Sequence, residues 1–297
     1  MSAIDSDALT TIRLGGTDIA GAVLRSEAAG WNQVAADWKL FIDCGNAIGV
    51  RNASGQLIAT AAAVPYGDGV GWISMVLVAQ EYRHRGLATQ LMQDCVRSLL
   101  DAGLTPVLDA TPAGKPVYER LGFRGGFAFD RWYCEAGGDA EAHAEQTEKR
   151  PQVGIFETIA ELDVAVTGIG RRFVIESFLS RPGSRSWLAS DHQGFVITRE
   201  GHRAAQIGPL IAIDDAQAIS LLDAALKPLL TANCASVARA AGTPIFVDVP
   251  SHRSVLLEYL QRRGFSKQRS FLRMALGKPT ILQCPTALYA LAGPEFG

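Results

Sequence analysis

Residues Trp72–Met92 read WISMVLVAQEYRHRGLATQLM, and this stretch decides the fold prediction. An apolar run is followed by the polar turn RHRG and then by apolar residues at helical spacing. The first backbone N–H groups of a helix have no partner within the helix, and the helix dipole adds positive charge there. Gly86 and the small Ala88 let an anion approach, and Arg83 and Arg85 pair with phosphate. The turn predicts a diphosphate cradle, with a capped helix bearing solvated basic residues as the alternative.

Alternating strand and helix patterns extend from this stretch along the first half. Val70–Val78 is an apolar strand, and Leu87–Leu100 has the i, i+4 apolar spacing of an amphipathic helix. Ser54-Gly55 is typical of a hairpin turn. The other predicted elements are the strands Thr10–Arg13, Ala47–Arg51, Leu57–Pro65, Pro106–Ala110 and Phe127–Cys134 and the helices Ile19–Ala29, Trp31–Ile42 and Lys115–Leu121. This order predicts an α/β (α+β) fold with helices on the faces of a sheet.

The second half repeats part of this order. TPVLDATP at Thr105–Pro112 and TPIFVDVP at Thr243–Pro250 are each followed by a helical stretch and a Gly-Phe pair. The match predicts an internal repeat. The predicted elements here are a helix opening at Phe173, the helices Ala216–Leu230 and Ser254–Arg263, and the strands Trp187–Ser190, Gly194–Arg199, Arg203–Ile213, Pro244–Val249 and Phe271–Ala275.

A change in composition separates the two halves. Residues 135–150, EAGGDAEAHAEQTEKR, contain no large apolar side chain and are typical of a solvated linker. Residues 1–150 carry 13 basic and 18 acidic side chains, a net charge of −5, and residues 151–297 carry 15 and 12, a net of +3. The predicted organisation is one domain over 1–134, a linker over 135–150 and a second domain over 151–297.

Composition also excludes several classes of protein. Of 297 residues, 48% are hydrophobic and 20% charged, as in globular proteins. The net charge of −2 and the pI of about 6.2 disfavour a nucleic-acid binder. No apolar run approaches the roughly 18 residues of a membrane span, and the N-terminus lacks a signal-peptide pattern, so we expect a cytoplasmic protein that contacts no membrane. Five scattered cysteines without a CxxC pair predict free thiols and no metal site.

A second candidate element is YERLGF, Tyr118 to Phe123. A helix that ends at Gly122 with a hydrophobic residue beyond it fits a common C-terminal cap. Taken alone, Tyr118 is interpreted more readily as a half-buried packing residue than as an acid.

Taken together, the turn and this element resemble the GNAT superfamily of acyl-CoA-dependent N-acyltransferases. The family's pyrophosphate motif, Gln/Arg-x-x-Gly-x-Gly/Ala, fits RHRGLA at residues 83–88, and Tyr118 lies where the family often has a tyrosine four residues before Gly-Phe. Gln80 departs from the family, where Pro is common. The resemblance covers about residues 10–134, and the whole chain is similar to a tandem GNAT arrangement with a degenerate second copy. It implies a mixed, mostly antiparallel, twisted sheet with helices on both faces in each half.

The resemblance implies acetyl-CoA as the acyl donor and no metal. Its pyrophosphate would lie on the N–H groups of Arg85 to Thr89, and its pantetheine would pair with Val76–Val78 as an extra strand. The N–H of Leu77 or Val78 would hold the carbonyl oxygen as it becomes an oxyanion. The implied cofactor-binding residues are Val76, Leu77, Val78, Arg83, His84, Arg85, Gly86, Leu87, Ala88 and Thr89.

The implied reaction is direct attack by a primary amine of a small molecule or an amino-acid-like acceptor. Tyr118 would be the general acid that protonates the departing thiolate. An alkyl amine with a pKa of about 10.4 is mostly protonated at pH 7, so attack needs a base or a water chain. Glu81 is a candidate base or a solvated surface group, and Asp109 is a candidate base or the cap of the next helix; a water-mediated route is the third alternative.

The acceptor is less well defined by the sequence. Trp31, Trp38 and Trp72 are candidates for an aromatic acceptor pocket, with core packing as the alternative. Pockets often lie at domain interfaces, so the second half is a further candidate source of acceptor contacts. Its weak candidates are Asp191, His192 and Arg203.

The second half departs from the cofactor pattern. Asp214 and Asp215 stand at the start of its corresponding helix, where they would cap the helix and repel a pyrophosphate. Leu260, not tyrosine, lies four residues before Gly264, and Tyr259 is one position away. We therefore predict that this half does not bind CoA productively.

Two other functions compete with an N-acetyltransferase acting on a small-molecule amine. A non-catalytic acyl-CoA sensor or interaction module would bind the cofactor without turnover. If both halves were inert scaffolds, the chain would bind no cofactor. The presence of the motif residues disfavours this alternative. The oligomeric state stays open, with a homodimer among the alternatives.

Overall fold

The computed structural model describes residues 8–135, 155–230, 244–277 and 280–297. The chain folds into two compact units, Met1–Val107 (unit 1) and Leu108–Gly297 (unit 2). The division falls within a strand, Thr105–Ala110, and not at the predicted linker. Residues 136–150 of that linker lie outside the described residues, so the predicted domain boundaries stay a prediction.

The elements follow the predicted order closely. The strands are β1 (Thr10–Arg13), β2 (Asn46–Arg51), β3 (Leu57–Pro65), β4 (Val70–Val78), β5 (Thr105–Ala110), β6 (Phe123–Cys134), β7 (Arg185–Leu188), β8 (Phe195–Arg199), β9 (Ala205–Ile211), β10 (Ile245–Pro250), β11 (Ser266–Leu276) and β12 (Leu288–Ala290). The helices are α1 (Ile19–Ala28), α2 (Ala35–Cys44), α3 (Leu87–Asp101), α4 (Lys115–Arg120), α5 (Ile155–Thr167), α6 (Arg172–Ser180), α7 (Asp215–Leu230) and α8 (Ser254–Arg262).

Unit 1 is a sheet in the order β1-β2-β3-β4-β5, antiparallel except for the parallel pair β4 and β5. Helices cover both of its faces. A Cβ on Gly71 of β4 would collide with Leu99 of α3, so Gly71 faces α3. A Cβ on Gly45, at the end of α2, would lie 3.0 Å from Val64 of β3, which places α2 on the other face.

In unit 2, strands from the two halves of the sequence alternate. The order runs from the end of β5 through β11, β6, β10, β9 and β8 to β7. The long strand β6 is antiparallel to β10 on one side and to β11 on the other. Phe129 of β6 lies opposite Phe271 of β11, and their rings stack with centroids 5.0 Å apart. The terminal strand of the first half is therefore built into the sheet of the second.

A buried ion pair fixes each of these two strands. Arg131 of β6 donates from Nε and Nη2 to Asp248 of β10 at 2.8 and 2.7 Å. Arg273 of β11 donates to both carboxylate oxygens of Asp109 of β5 at 2.9 Å. The two arginines occupy matching positions in Phe-x-Arg sequences that begin at Phe129 and Phe271. Each pair joins a strand of one half to a strand of the other, but Asp109 is the fifth residue of its matched segment and Asp248 the sixth. Thr243, at the start of the second segment, lies outside the described residues.

The short strand β12 lies against β9 where β9 and β10 separate. The parallel pairing of β9 and β10 covers Ala205–Ile207 of β9. Further along β9, Leu210 and Ile211 pair with β12. The Leu291 N–H, just after β12, donates to the Asp248 carbonyl of β10 at 2.9 Å. The gap between the two strands of the second half is thus filled by the chain itself.

Candidate active site

The predicted diphosphate cradle is an exposed turn at the start of α3. Gly86, the residue before the helix, has φ of +82°, and His84 has φ of +63°. No described side chain caps the helix, and apart from Gly86 and its two chain neighbours no described residue has an atom within 4 Å of where a Cβ on Gly86 would stand. The left-handed conformation favours glycine at this position, and the open space lets an anion reach the N–H groups of the first helical turn.

Contacts to the neighbouring strand and turn hold both arginines of this turn. Arg83 Nε donates to the Val78 carbonyl at 3.3 Å, and Arg85 donates to the Glu81 carbonyl at 3.3 Å. The Arg85 guanidinium also lies 4.9 Å from the ring centroid of the buried Tyr82. The two charges are therefore placed beside the helix start while their side chains remain exposed.

Strand β4 separates from β5 before it reaches this turn. The recorded pairing of β4 and β5 covers Val70–Trp72 and Thr105–Val107. Beyond it, β4 has a bulge at Met75, a buried non-glycine residue with φ of +56°. Thr60 of β3 donates from Oγ1 to the Met75 carbonyl at 2.8 Å and fixes the bulge. On its β5 side, Val76–Val78 has no strand partner in the described part of the chain, an arrangement that suits pairing with an extended ligand.

Tyr118 belongs to unit 2, where it lies on α4 with its side chain half-buried. Its ring centroid is 6.2 Å from that of Phe123, and a Cβ on Gly114 would lie 2.8 Å from the ring. Gly114 has an ordinary helical φ of −80°, so glycine is needed there for the close approach of the tyrosine. Burial raises the pKa of Tyr118 to about 12, which keeps the hydroxyl protonated across the physiological range.

The two candidate bases have different surroundings. Asp109 is buried, and both of its oxygens accept hydrogen bonds from Arg273. Burial raises the pKa of the Asp109 carboxyl above its ordinary value, against the opposing effect of Arg273. It does not cap α4; the Gly114 N–H at the helix start donates instead to Thr111 Oγ1 at 3.2 Å. Glu81 lies exposed in a short 3₁₀ turn, Gln80–Tyr82, before the cradle.

The three tryptophans lie in unit 1. Trp38 and Trp72 are fully buried, and Trp31 is half-buried. Trp38 donates from Nε1 to Ser26 Oγ at 2.9 Å, and Trp72 stacks on Tyr66 with centroids 6.0 Å apart. Trp38 and Trp72 thus have the position that the core-packing alternative predicts.

At the start of α7, the chain's own side chains occupy the helix terminus. The Gln217 N–H donates to Asp214 Oδ1 at 2.8 Å, and the Ile213 N–H donates to Gln217 Oε1 at 3.1 Å. Gln217 also donates from Nε2 to Asp191 Oδ2 at 2.9 Å. The weak acceptor candidate Asp191 is therefore part of this cap. The other two second-half candidates, His192 and Arg203, are exposed.

Sequence reasoning missed two features of these sites. The first is the bulge at Met75. The run of apolar residues predicts a regular strand there, and nothing in it signals a residue with positive φ. The second is β12, whose sequence LYA is too short for a periodicity argument. Both depend on pairing with another strand, β3 for the bulge and β9 for β12.

The described ranges contain neither a helix long and apolar enough to cross a membrane nor a cluster of three or more His, Cys, Asp or Glu side chains able to hold a metal. Their four cysteines, Cys44, Cys95, Cys134 and Cys284, are free, and Cys234 lies outside these ranges.

Two family models match the chain. The model described as "Acetyltransferase (GNAT) family" matches residues 24–123, and the one described as "Acetyltransferase (GNAT) domain" matches residues 159–290. No curated protein matches the sequence significantly.

Several solved structures share the fold of the whole chain. One described as "A Putative Acetyltransferase from PYROCOCCUS HORIKOSHII" is 20% identical, with a TM-score of 0.75 over 100% of this chain and 99% of that one. A tandem GNAT protein from the clavulanic acid biosynthesis pathway is 12% identical, with a TM-score of 0.65 over 91% and 99%. A GCN5-related N-acetyltransferase from Sphaerobacter thermophilus is 15% identical, with a TM-score of 0.60 over 90% and 95%.

Proposed function

This chain belongs to the GNAT acetyltransferase family and carries two copies of the domain, and from that premise we propose that it transfers an acetyl group from acetyl-CoA to a primary amine. The acceptor is a small molecule or an amino-acid-like compound. The single observation that carries the proposal is the open start of α3, which no described side chain caps. Gly86 has a left-handed conformation there, after Arg83 and Arg85 and directly before the helix. Such a terminus suits the diphosphate of CoA.

The edge of β4 beside this turn supports a path for the rest of the donor molecule. The pantetheine arm would pair with Val76–Val78 and bring the thioester to the bulge at Met75. Backbone N–H groups there, of Leu77 or Val78, would stabilise the oxyanion of the tetrahedral intermediate. The diphosphate would lie on the N–H groups of Arg85 to Thr89.

Tyr118 is the proposed general acid. The amine nitrogen forms its bond to the carbonyl carbon, and the carbon–sulfur bond then breaks with its electron pair on sulfur. The tyrosine hydroxyl protonates the thiolate and regains its proton through water, which takes up the proton that the amine loses. Burial raises the pKa of Tyr118 to about 12, so its hydroxyl is protonated and able to donate when the thiolate forms.

We assign deprotonation of the amine to water. Asp109 is held in its pair with Arg273, and Glu81 projects from an exposed turn. A dedicated base must be able to reach the amine and be shielded from bulk water. Asp109 does not meet the first condition, and Glu81 does not meet the second. The competing function, an acyl-CoA sensor without turnover, shares the cradle but gives Tyr118 no chemical task.

Two measurements test the proposal. Acetyl-CoA at a hundredfold excess over its Kd stabilises the folded protein by about 2.7 kcal/mol, so thermal unfolding with and without acetyl-CoA reports binding. Release of free CoA thiol in the presence of a panel of primary amines reports turnover. We expect both signals. Binding without thiol release for any amine would favour the sensor, and absence of binding would refute both functions.

A further inference from the structure

The helix α4, which carries Tyr118, connects β5 to β6, but these two strands are not neighbours in the sheet. The strand that lies between them is β11, from the second half of the chain. Both ends of the segment that carries the proposed general acid are therefore bordered by a strand of the other half.

Arg273 of β11 contacts both of the strands that α4 connects. Its guanidinium donates from Nε and Nη2 to the two carboxylate oxygens of Asp109, in β5, at 2.9 Å each. The same guanidinium lies 4.8 Å from the ring centroid of Phe127, in β6. The side chain of Arg273 is 3% exposed, and that of Asp109 is 0% exposed. Two parallel hydrogen bonds and an adjacent ring fix a guanidinium in orientation as well as in position.

A second contact of β11 reaches the end of α4. Leu276 lies opposite Phe123 in the sheet, and a Cβ on Gly122 would lie 3.5 Å from its Cδ2. The Phe123 ring packs against Tyr118, with the ring centroids 6.2 Å apart. The strand β11 therefore holds the chain on both sides of α4, through Asp109 before the helix and through Phe123 after it.

We propose that Arg273 is a positioning residue for the general-acid step, an inference that rests on the proposed function. By holding the end of β5 against the first part of β6, Arg273 sets the place of the Tyr118 hydroxyl relative to the thiolate that it protonates. Arg273 gives up no proton itself, because a guanidinium stays charged across the physiological range. The second half of the chain then contributes to catalysis without binding CoA.

The test compares Arg273→Lys with Arg131→Lys in the full chain. Both arginines donate two hydrogen bonds to one buried carboxylate, but Arg131 pairs with Asp248 of β10 and so joins strands that α4 does not connect. Lysine keeps the positive charge beside the carboxylate and cannot make the two parallel hydrogen bonds of a guanidinium.

We expect Arg273→Lys to lower kcat about tenfold, because a small displacement of a reacting group is enough to slow a reaction strongly. The Kd for acetyl-CoA should stay at its wild-type value. Arg131→Lys should change neither quantity. Both variants are assayed at a temperature at which circular dichroism shows them folded. An unchanged kcat in Arg273→Lys, or an equal fall in Arg131→Lys, would overturn the inference.

A double variant separates positioning from a general effect on the structure. If Arg273 acts through Tyr118, Arg273→Lys lowers kcat in the wild type and has no further effect in Tyr118→Phe. We expect this non-additivity. Effects that multiply in the double variant would show that Arg273 acts by another route and would overturn the inference.

The ring signals of Tyr118 give a readout that does not depend on turnover. In the nuclear magnetic resonance spectrum of protein with isotope-labelled tyrosine rings, these signals are the ones missing in Tyr118→Phe. We expect them to shift in Arg273→Lys and in Leu276→Ala, a variant that leaves both ion pairs intact, but not in Arg131→Lys. Unchanged signals in the first two variants would overturn the inference, and Leu276→Ala alone decides this comparison if Arg273→Lys does not fold.

The proposed function fails by different results. Absence of acetyl-CoA binding or of thiol release in the wild type would refute the proposed function, whatever the Tyr118 signals show. Wild-type turnover together with an unchanged kcat in Arg273→Lys would refute the positioning role alone.

Discussion

The starts of α3 and α7 occupy corresponding places in the two halves, and they differ in what satisfies their backbone N–H groups. At α3 no described side chain caps the helix, the turn is exposed, and Arg83 and Arg85 stand beside it. At α7 Asp214 accepts from the Gln217 N–H, and a second carboxylate, Asp215, follows. Among the described residues, Val76–Val78 of the strand before α3 has no strand partner on its β5 side, whereas β9 pairs with β12. A half that supplies its own cap and its own extra strand keeps the fold without needing a ligand.

The largest expected effect comes from reversing the charge of the open terminus. Gly86→Glu places a carboxylate where the diphosphate would lie and forces a non-glycine residue to φ of +82°. We expect acetyl-CoA binding to be lost, measured by calorimetry and thermal unfolding.

The matched control is Ala216→Glu, which adds the same charge to the exposed first turn of α7. It should bind acetyl-CoA as the wild type does. Equal loss of binding in both variants would contradict the difference between the two helix starts.

The next effect concerns the buried ion pairs of β6 and β11. Arg273→Met leaves the buried Asp109 without its partner and is expected to cost about 3–5 kcal/mol in the free energy of unfolding. Arg131→Met should cost less, because Asp248 still accepts from Gln206 Nε2 at 2.9 Å. Chemical denaturation measures both.

The pH dependence of Arg273→Met has a defined sign. Burial raises the pKa of Asp109 in the folded state, and loss of Arg273 raises it further. A carboxyl with a raised folded pKa binds more protons when folded, so lowering the pH should recover stability in this variant. Arg172→Met, which removes the exposed pair with Glu157, should cost no more than about 1 kcal/mol; a loss as large as that of Arg273→Met would argue against burial as the cause.

A smaller effect tests the tyrosines of the two halves. Tyr118→Phe should lower kcat by about a hundredfold and leave the Kd for acetyl-CoA unchanged, because it removes the proton donor alone. Tyr259, one position from the corresponding place, donates its hydroxyl to Asp223 and accepts from Arg263 at 2.8 Å. Tyr259→Phe should leave kcat unchanged. If kcat is also unchanged in Tyr118→Phe, the general-acid assignment is wrong.

The smallest effect is removal of the second-half cap. Asp214→Ala should cost about 1 kcal/mol in the free energy of unfolding, as loss of an N-cap side chain usually does. Calorimetry should still find one acetyl-CoA per chain, because β12 continues to occupy the edge of β9. A second binding event would show that the cap alone keeps CoA out of this half.

Local sequence patterns predicted most of the secondary structure. The strand Val70–Val78 was predicted with its observed bounds, and the helix at Leu87 starts where the Gly86 turn predicts. The second helix was predicted from Trp31 but begins at Ala35, since Asp37 caps it by accepting from the Val34 N–H at 2.9 Å. Capping and periodicity act within a few residues, so the sequence displays them directly.

Features that depend on distant pairing were not predicted. The strand predicted from Phe127 begins earlier, at Phe123, and its Gly125 and Gly126 allow close approach of neighbouring chain segments. A Cβ on Gly126 would collide with the Leu282 backbone, and one on Gly125 would lie 2.9 Å from Leu272. The pairing of β6 with β11, and of β12 with β9 where β9 separates from β10, likewise joins residues more than 70 positions apart along the chain. The turn and helix start at Gly86 were predictable for the opposite reason, since their sequence signal is contiguous.

The placement of β6 between β10 and β11 has a consequence for biosynthesis. The last residue of β6, Cys134, precedes the first residue of β10, Ile245, by 111 positions. At about 5–20 residues per second, the ribosome needs about 6–22 s to deliver the first partner strand. During that interval the nascent chain carries a twelve-residue strand with both edges unpaired, of the kind that invites association with other chains. Completion of the sheet of unit 2 is therefore a late event of translation.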